Sequence, residues 1–386
     1  MSGNSERLGA LGEFTVIERL RRYIEARSGA AHPGTVLGIG DDAALLRPRD
    51  GRELVVTTDV QIAGRHYLPR WMSPAEIGRR ALEVNLSDIA AMGATPSFVL
   101  VSLGLPRNFR LDHLLGVYEG LLDGLDAVRA DLEVDARIVG GNLASITGEE
   151  WFLDLTVLGE VERGGALRRD GARVGDRVFV TGTPGRSGAG LDLIRYLESR
   201  PDGGPASPAT LTRFGLEHPW SGPLLDAYLR PRARLLAGRG LRSAGATAAI
   251  DLSDGLLGDL AHLVERSGHG IAIERDRLPG YADRSLQAAA AFLASGGAGG
   301  LPTAPNFSAS GPPTAPNAAA HWILGASDDY ELCFTAPPGL DLAAACAPLP
   351  VSEVGEVTQA PGLRIIGLTP DEEALLRAGG FDHFRV

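Results

Sequence analysis

Residues 81–96 of the chain have the sequence ALEVNLSDIAAMGATP, and this stretch decides how the first half of the protein folds. The segment 73–76 just before it has a hydroxyl, a proline and a glutamate at the spacing of a helix start with a capping box. Gly93 followed by Pro96 predicts where that helix ends. The pattern therefore predicts one helix between the proline of residues 73–76 and Gly93.

This helix has polar groups on a face that is otherwise apolar. Ala81, Asn85, Asp88 and Met92 fall on one side at spacings of four, three and four residues. A buried carboxylate needs a partner, and the stripe contains neither lysine nor arginine. A metal ion, or a group that a metal brings, is therefore the expected partner of Asp88. The alternative is a helix-surface aspartate that is bonded to a neighbouring loop.

The size and composition of the chain indicate a globular protein of two or three domains. It has 386 residues, of which 44% are hydrophobic. No apolar run is long enough for a membrane span, and the first residues lack a secretory signal. Cys333 and Cys346 give no disulfide framework and no metal-binding spacing. The expected compartment is the cytoplasm, without a membrane partner.

The charged residues exclude several kinds of phosphate chemistry. The net charge is 37 − 48 = −11, which argues against nucleic acid as the main partner. All 37 basic residues are arginines, because the chain contains no lysine. The P-loop lysine, the strand lysine of protein kinases and Schiff-base chemistry are thereby excluded. A protein of this composition must handle phosphates with metal ions, arginines and backbone amides.

Strands alternate with helices in both halves of the chain, which predicts an α/β or α+β fold of two domains. A Gly- and Arg-rich stretch near 162–175 lacks apolar periodicity, so we expect domains over 1–161 and 162–386. Within the second domain, about 280–320 is rich in Ala, Gly, Pro and Ser and contains PTAPN twice, which predicts a loosely ordered insertion. Residues 322–336, WILGASDDYELCFTA, are expected to form two strands around an acidic turn.

Acidic and amide residues follow the predicted strands again and again. Side chains at neighbouring strand ends of one sheet lie close together, and hard oxygen ligands without histidine or cysteine clusters suit Mg²⁺. Taken singly, each aspartate is more typical of a turn or a helix cap than of a metal ligand, and Asp254 can cap the helix that begins at Gly255. The residues in question are Asp41, Asp42, Asp59, Asn142, Asp251 and Asp254.

Two glycine-rich elements, Gly38–Gly40 and Gly182–Gly190, are candidates to bind phosphate through backbone amides. Neither matches the dinucleotide-binding or P-loop pattern, and tight turns explain both equally well. The adjacent Arg168 and Arg169 are candidates for a phosphate clamp or for an ordinary solvated pair.

Several motifs in the chain occur together: GIGDDAAL, TTDVQIAGRHY, ALEVNLSDIAAMGATP, VGGN, RRDGARVGDRVFVTGTPG, IDLSDGL, DDYELCF and GFDHF. This set resembles the thiamine-monophosphate kinase family, within the superfamily of aminoimidazole ribonucleotide synthetase. The resemblance extends over about 12–279 and 322–384. NLSDIAAMGA and DLSDGL are specific to the superfamily, and GRHY and GFDHF indicate the thiamine-phosphate branch.

The resemblance implies direct transfer of the ATP γ-phosphate to thiamine monophosphate with several magnesium ions. It also implies a homodimer in which the N-terminal halves form a shared β-barrel, with an α/β C-terminal domain. By matching motif, magnesium would be held by Asp41, Thr57, Thr58, Asp59, Asp88, Asn142, Asp251 and Asp254. ATP would be contacted by Tyr118, Gly141, Asn142, Arg169 and Ser253, with Asp88 and Arg169 as the catalytic residues. Thiamine phosphate would be bound by His66, Asp328 and Phe381, the last by ring stacking.

The chain departs from the family pattern at two positions. Asn142 stands where the family has an aspartate, and Asp328 stands where it has a glutamate. Two alternatives to the kinase therefore stay open. One is a related ATP-dependent enzyme that acts on another phosphorylated or amide substrate, and the other is a non-catalytic binder of nucleotide or thiamine phosphate.

Overall fold

The computed structural model describes residues 6–28, 32–199, 206–295, 318–325 and 327–376. The chain divides into two compact units. The N-terminal unit comprises Met1–Ile89 and Ala94–Gly165, and the C-terminal unit comprises Ala90–Gly93 and Ala166–Val386. Within the described residues, no helix has the length and apolar character needed to cross a membrane.

The N-terminal unit contains a four-stranded sheet in the order β3-β6-β4-β5, in which only β4 and β5 are parallel. A separate pair, β1 and β2, is antiparallel. The sheet is open, with β3 and β5 at its edges, so the expected barrel is not present within one chain. The strands are β1 (Thr35–Leu37), β2 (Leu45–Leu46), β3 (Arg52–Ile62), β4 (Thr95–Pro106), β5 (Arg137–Ile146) and β6 (Phe152–Glu162). The helices are α1 (Leu8–Leu11), α2 (Glu13–Ser28), α3 (Pro74–Ala91) and α4 (Leu111–Leu132).

Helix α3 is the predicted central helix, and it begins with the predicted capping box. The Glu76 amide donates to Ser73 Oγ at 3.2 Å, and the Ser73 amide donates to Glu76 Oε2 at 2.8 Å. Helices α3 and α4 pack at very short range through glycines. A Cβ atom on Gly78 would lie 1.9 Å from the Val117 carbonyl oxygen, so no larger residue fits there without moving a helix.

The two faces of the sheet differ in burial. Strand β6 turns Leu155 and Val157 inward, where they are fully buried, because side chains alternate along a strand. The opposite side of β3 exposes apolar side chains. We call this side the open face, and on β3 it comprises Leu54, Val56, Thr58 and Val60.

The C-terminal unit has a six-stranded sheet in the order β12-β9-β11-β7-β10-β8. Only β12 and β9 are parallel. Its strands are β7 (Arg177–Thr181), β8 (Ala248–Asp251), β9 (Gly270–Glu274), β10 (Leu332–Ala336), β11 (Val351–Thr358) and β12 (Leu363–Ile366). Its helices are α5 (Arg186–Ser199), α6 (Pro208–Glu217), α7 (Gly222–Leu229), α8 (Leu235–Ala244), α9 (Leu256–Ser267), α10 (Arg284–Ser295), α11 (Ala318–Leu324), α12 (Leu342–Cys346) and α13 (Pro370–Leu376).

Two segments of the C-terminal unit differ from expectation. The apolar run at the start of 322–336 is the end of helix α11 rather than a strand, and only β10 of the predicted pair forms. A short apolar run fits either a strand or a buried helix, so its pattern alone does not distinguish the two. Helix α10 begins inside the segment for which composition predicts loose order, and the two PTAPN repeats lie outside the described residues.

Candidate active site

The predicted polar face of helix α3 lies against strand β3. Thr57 Oγ1 donates a hydrogen bond to Asp88 Oδ2 at 2.5 Å. Asn85 Nδ2 donates to the Ala81 carbonyl at 2.9 Å and approaches the Asp59 carbonyl at 3.4 Å. Thr57 and Asp59 point to the same side of β3 because they are two residues apart. The structure therefore brings Thr57, Asp59 and Asp88 into one neighbourhood, which we call the N-terminal cluster.

Asn85 is a neighbour of this cluster that the motif assignment leaves out. Its side chain is fully buried, and its Oδ1 atom has no hydrogen-bond partner among the described residues. A buried amide oxygen without a partner is costly, which is typical of a site that accepts water or a ligand. The sequence signal is present, since Asn85 shares the α3 stripe with Asp88.

Thr58 and Asn142 have their side chains on the other side of the sheet, on the open face. The Thr58 hydroxyl donates to Asp154 Oδ1 at 2.9 Å. Pairing in register places Asn142 beside Ser102 and Ser102 beside Asp154, so these three residues share one cross-strand row. The structure does not bring these two side chains to the N-terminal cluster. Thr58 can reach that side only through its backbone.

The expectation that the acidic and amide residues follow strand ends holds for Asp251, the last residue of β8. It is wrong for Asp59 and Asn142, which lie inside β3 and β5 because both strands continue past them. Asp41 lies in an exposed turn, where its Oδ1 atom accepts a hydrogen bond from the Asp42 amide at 2.8 Å.

The N-terminal unit contains three further candidate site residues, Tyr118, Gly141 and His66. Tyr118 is buried in α4, with 5% of its surface exposed, and burial raises the pKa of its hydroxyl. Gly141 permits a close approach of β5 to β4, since a Cβ there would lie 1.9 Å from the Val101 carbonyl oxygen. His66 Nδ1 accepts a hydrogen bond from the Ile62 amide at 3.0 Å. The neutral His66 ring therefore has its proton on Nε2, where it can donate.

In the C-terminal unit, Asp251, Ser253 and Asp254 lie on one short connection between β8 and α9. We call residues 251–255 the acidic loop. Ser253 and Asp254 are exposed, and Asp251 is buried. Asp254 does not cap α9, because the N-cap residue is Gly255 and it makes no side-chain cap.

A carboxylate absent from the sequence-based set, Asp259, lies under the acidic loop. Its Oδ2 atom accepts hydrogen bonds from the amides of Ser253 and Asp254 at 3.0 and 3.1 Å. Burial, together with the charges of Asp251 and Asp254, raises the pKa of Asp259 to about 8. Three carboxyl groups, those of Asp251, Asp254 and Asp259, therefore lie close enough to influence one another at the acidic loop.

Arg169 lies in the same unit as this loop. It is exposed and begins a 3₁₀ turn, Arg169–Gly171, that packs against β8 and α9. Its neighbour Arg168 forms an ion pair with Asp170. Of the two candidate arginines, Arg169 is the one whose guanidinium is not committed to Asp170.

The glycine-rich loop over 182–190 does not present its amides to a ligand. The amides of Gly185 and Ser187 donate to the carboxylate of Asp329 at 2.7 and 2.9 Å, and the Gly188 amide donates to Ser327 Oγ at 2.9 Å. Burial raises the pKa of Asp329 to about 7, although these bonds favour its charged form. These three amides are therefore not available to a phosphate, because a carboxylate and a hydroxyl of the protein already accept hydrogen bonds from them.

Asp328 is held by the same loop. Its Oδ1 atom accepts a hydrogen bond from Ser187 Oγ at 3.0 Å, and the side chain is half-buried. Phe381, the other substrate candidate on the C-terminal side, lies outside the described residues.

The side chains gathered in each unit suit a hard cation held jointly with a ligand. No group of three or more His, Cys, Asp or Glu side chains within the described residues is arranged to hold a metal ion. Mg²⁺ needs only one or two carboxylates when substrate phosphates and water complete its shell. The carboxylates and hydroxyl of the N-terminal cluster are oxygen donors of this kind, and the acidic loop adds the carboxyl groups of Asp251 and Asp254. The residues present therefore fit magnesium.

Comparisons with known proteins identify the architecture. The family model described as AIR synthase related protein, N-terminal domain, matches residues 40–161, and the corresponding C-terminal domain model matches residues 173–367. Two mixed α/β units with these matches define an AIR synthase-related protein.

More specific relatives narrow this class. The thiamine-monophosphate kinase of Escherichia coli K12 is 35% identical over 97% of this chain and 99% of its own length. The crystal structure of thiamine-monophosphate kinase from Stenotrophomonas maltophilia has a TM-score of 0.69 and 32% identity, covering 92% of this chain and 97% of its own. The structure of AaThiL complexed with AMPPCP and TMP has a TM-score of 0.65 and 28% identity, covering 99% and 100%. The chain belongs to the thiamine-monophosphate kinase family.

Proposed function

We propose that this protein transfers the γ-phosphoryl group of ATP to thiamine monophosphate and so forms thiamine diphosphate and ADP. The observation that supports it most directly is the N-terminal cluster. In that cluster Asp88 accepts a hydrogen bond from Thr57, and Asn85 on the same helix face approaches the Asp59 carbonyl. Family membership supplies the substrate, since the AaThiL structure holds TMP together with an ATP analogue.

Phosphoryl transfer suits a chain with this composition. Its transition state is loose, so the enzyme needs to position two phosphates and neutralise charge, and it needs no nucleophile of its own. Bound magnesium would supply that neutralisation. In the N-terminal unit it would be held by Asp59 and Asp88, with Asp41 and the backbone at Thr57–Thr58 as further ligands.

The C-terminal unit would contribute the acidic loop and one arginine. Asp251 and Asp254 would hold magnesium, and Ser253 would contact ATP. The exposed Arg169 would donate to phosphate oxygens, which is the role that lysine has in many other kinases.

A hydrogen-bond donor would recognise the phosphate of thiamine monophosphate, and a carboxylate and an aromatic ring would recognise its thiamine moiety. His66 would donate a hydrogen bond from Nε2 to a phosphate oxygen, since its Nδ1 atom accepts from the Ile62 amide. Asp328, oriented by Ser187, would place a negative charge against the cationic thiamine moiety. Phe381 would stack on one of its rings.

Asn142 favours a second candidate function, a binder without turnover. An amide oxygen can ligate magnesium but brings no charge, so the ion nearest this position would bind more weakly. Asp154, in the same cross-strand row, keeps one carboxylate on the open face. We place turnover first because the N-terminal cluster does not depend on Asn142.

We also propose that the protein is a homodimer in the cytoplasm, with the apolar side chains of β3 on the open face covered by a second copy. Leu54 and Val56 on this face are 46% and 59% exposed. The unpaired edges of β3 and β5 flank the same sheet. Exposed apolar side chains beside open strand edges favour association.

The deciding experiment is a direct assay with purified protein, ATP, thiamine monophosphate and saturating magnesium. Chromatography of the thiamine phosphates should detect thiamine diphosphate and an equal amount of ADP, and chelation of magnesium should stop both. No product, with tight binding of both substrates by calorimetry, would favour the binder. ATP turnover that only another metabolite stimulates would favour a related enzyme.

A further inference from the structure

The acidic loop is fixed at both of its ends. On the strand side, the Leu252 amide donates to the Glu331 carbonyl and the Tyr330 amide donates to the Leu252 carbonyl, both at 2.8 Å. On the helix side, the fixing group is the side chain of Asp259, whose single Oδ2 atom accepts from the two consecutive amides of Ser253 and Asp254.

Asp259 is placed to shape this loop and not to contact a ligand. It is 2% exposed, whereas Ser253 and Asp254 above it are exposed. The backbone must turn sharply between strand and helix, and Gly255 does so with φ of +96°. Because Gly255 provides no side-chain cap, two amides in front of α9 depend on the Asp259 carboxylate.

A buried carboxylate next to two other carboxylates is an expensive way to satisfy two amides. A shorter neutral acceptor such as serine would avoid the repulsion from Asp251 and Asp254, but its hydroxyl would not reach both amides. The advantage of the aspartate is geometric. One oxygen that accepts hydrogen bonds from two consecutive amides fixes the orientation of both peptide planes. Those planes set where the Ser253 and Asp254 side chains project.

We propose that Asp259 is a positioning residue that holds the acidic loop in the conformation that binds magnesium and ATP. This inference rests on the proposed function, which assigns Asp251, Ser253 and Asp254 to those ligands. Asp259 acts through the two amides and makes no contact with the nucleotide.

The test compares Asp259→Ala with Asp259→Asn. The alanine variant removes the acceptor, whereas the amide oxygen of asparagine can take the place of Oδ2 and keep both bonds. Asp192→Ala is the matched control, because Asp192 is also a buried carboxylate of the C-terminal unit and accepts from the Trp322 indole N–H at 2.9 Å. Loss of stability alone should affect Asp259→Ala and Asp192→Ala alike.

Two readouts separate positioning from stability. In Asp259→Ala we expect faster hydrogen exchange at the Ser253 and Asp254 amides and a rise of about tenfold or more in the KM for Mg–ATP, with a smaller change in kcat. Asp259→Asn should keep the amide protection and a KM close to that of the wild type. Asp192→Ala should keep the protection of the Ser253 and Asp254 amides and a wild-type KM for Mg–ATP.

Three results would overturn the proposal. The first is wild-type protection and KM in Asp259→Ala. The second is a raised KM in Asp259→Asn with the amides still protected, which would mean that the charge itself matters. The third is a similar rise in KM in Asp192→Ala.

If Asp259→Ala does not fold, Asp259→Ser is used instead. Serine leaves a smaller cavity than alanine does, and its side chain is too short to accept from both amides. If the wild type forms no thiamine diphosphate, the proposed function fails. The positioning role is then decided by amide exchange and by calorimetric binding of AMPPCP with magnesium, neither of which needs turnover.

Discussion

Thr57 Oγ1 donates a hydrogen bond to Asp88 Oδ2, and this bond joins strand β3 to helix α3. It links the β-branched strand of the N-terminal unit to the one carboxylate on the polar stripe of α3. The bond holds Asp88 Oδ2 in place against the strand. The geometry thus anchors the proposed magnesium ligand Asp88 to the sheet.

We expect Asp88→Asn to reduce kcat/KM for thiamine diphosphate formation by about 100-fold or more, because the change removes a negative charge and little volume. Its melting temperature should stay within a few degrees of the wild type. The steady-state assay and thermal unfolding check the two expectations. Asp131→Asn, an exposed change on α4, is the control. Full activity in Asp88→Asn would mean that the α3 stripe has only a structural role.

The parts of the site that the sequence predicts are those set by local spacing. Ser73 and Glu76 form the expected capping box, and Asn85 and Asp88 share one helix face, because both relations depend only on helix periodicity. The face on which a strand residue lies is harder to predict, since a register shift of one residue moves its side chain to the other face. The irregular pairing of β5 with β4 near Val99 adds such a shift. The open-face position of Asn142 follows from that pairing and is not visible in the motif.

Contacts between distant segments account for the remaining differences. Asp329 fills the amides at Gly185 and Ser187 although it lies more than 140 positions further along the chain. A glycine-rich motif shows that a loop can bind an anion, and it does not show whether the protein supplies that anion itself. Asp259 is missed for a related reason, since inside an amphipathic helix it resembles an ordinary polar residue.

The contact between α3 and α4 gives a test of stability. Gly78→Ala should destabilise the protein by about 1–3 kcal/mol, because its Cβ would meet the Val117 carbonyl oxygen at 1.9 Å. The control is Gly215→Ala in α6, where nothing lies within 4 Å. That change should stabilise the protein by about 0.5–1 kcal/mol, since alanine favours a helix. Equal effects of the two changes in urea unfolding would contradict the close packing.

The start of helix α13 gives a pH dependence. Burial acts to raise the pKa of Glu372, but Arg275, the Thr369 amide and the Tyr281 hydroxyl outweigh it and lower the pKa to about 2. A carboxyl whose pKa is lower in the folded state stabilises the protein above its unfolded value of 4.5. That contribution is lost as the pH falls from about 4.5 toward about 2.

Glu372→Gln should therefore lose stability at neutral pH and should unfold with a weaker dependence on acid than the wild type does. Chemical unfolding at a series of pH values between 7 and 3, within the range set by the lowered pKa, measures the difference. Glu373→Gln, an exposed change on the next residue, is the control. Parallel stability curves for the wild type and Glu372→Gln would contradict the assigned ion pair.

The departure at Asn142 predicts a gain of function. Asn142→Asp should lower the magnesium concentration for half-maximal activity by about tenfold, because it adds a charged oxygen ligand. Ala144→Asp is the control, since it adds the same charge two residues along the same face of β5. Activity that appears only in Asn142→Asp would favour the binder as the natural function. The same magnesium requirement in all three proteins would remove Asn142 from the metal site.

The open face predicts how the protein associates. Val56 is 59% exposed at the centre of the apolar side chains of β3, so Val56→Arg would put a charge in the interface that we propose there. Analytical ultracentrifugation should give a dimer for the wild type and a monomer for Val56→Arg. Leu216→Arg, which changes a leucine that is 78% exposed on α6, should stay dimeric. A monomeric wild type, or a dimer that only Leu216→Arg disrupts, would exclude the open face as the interface.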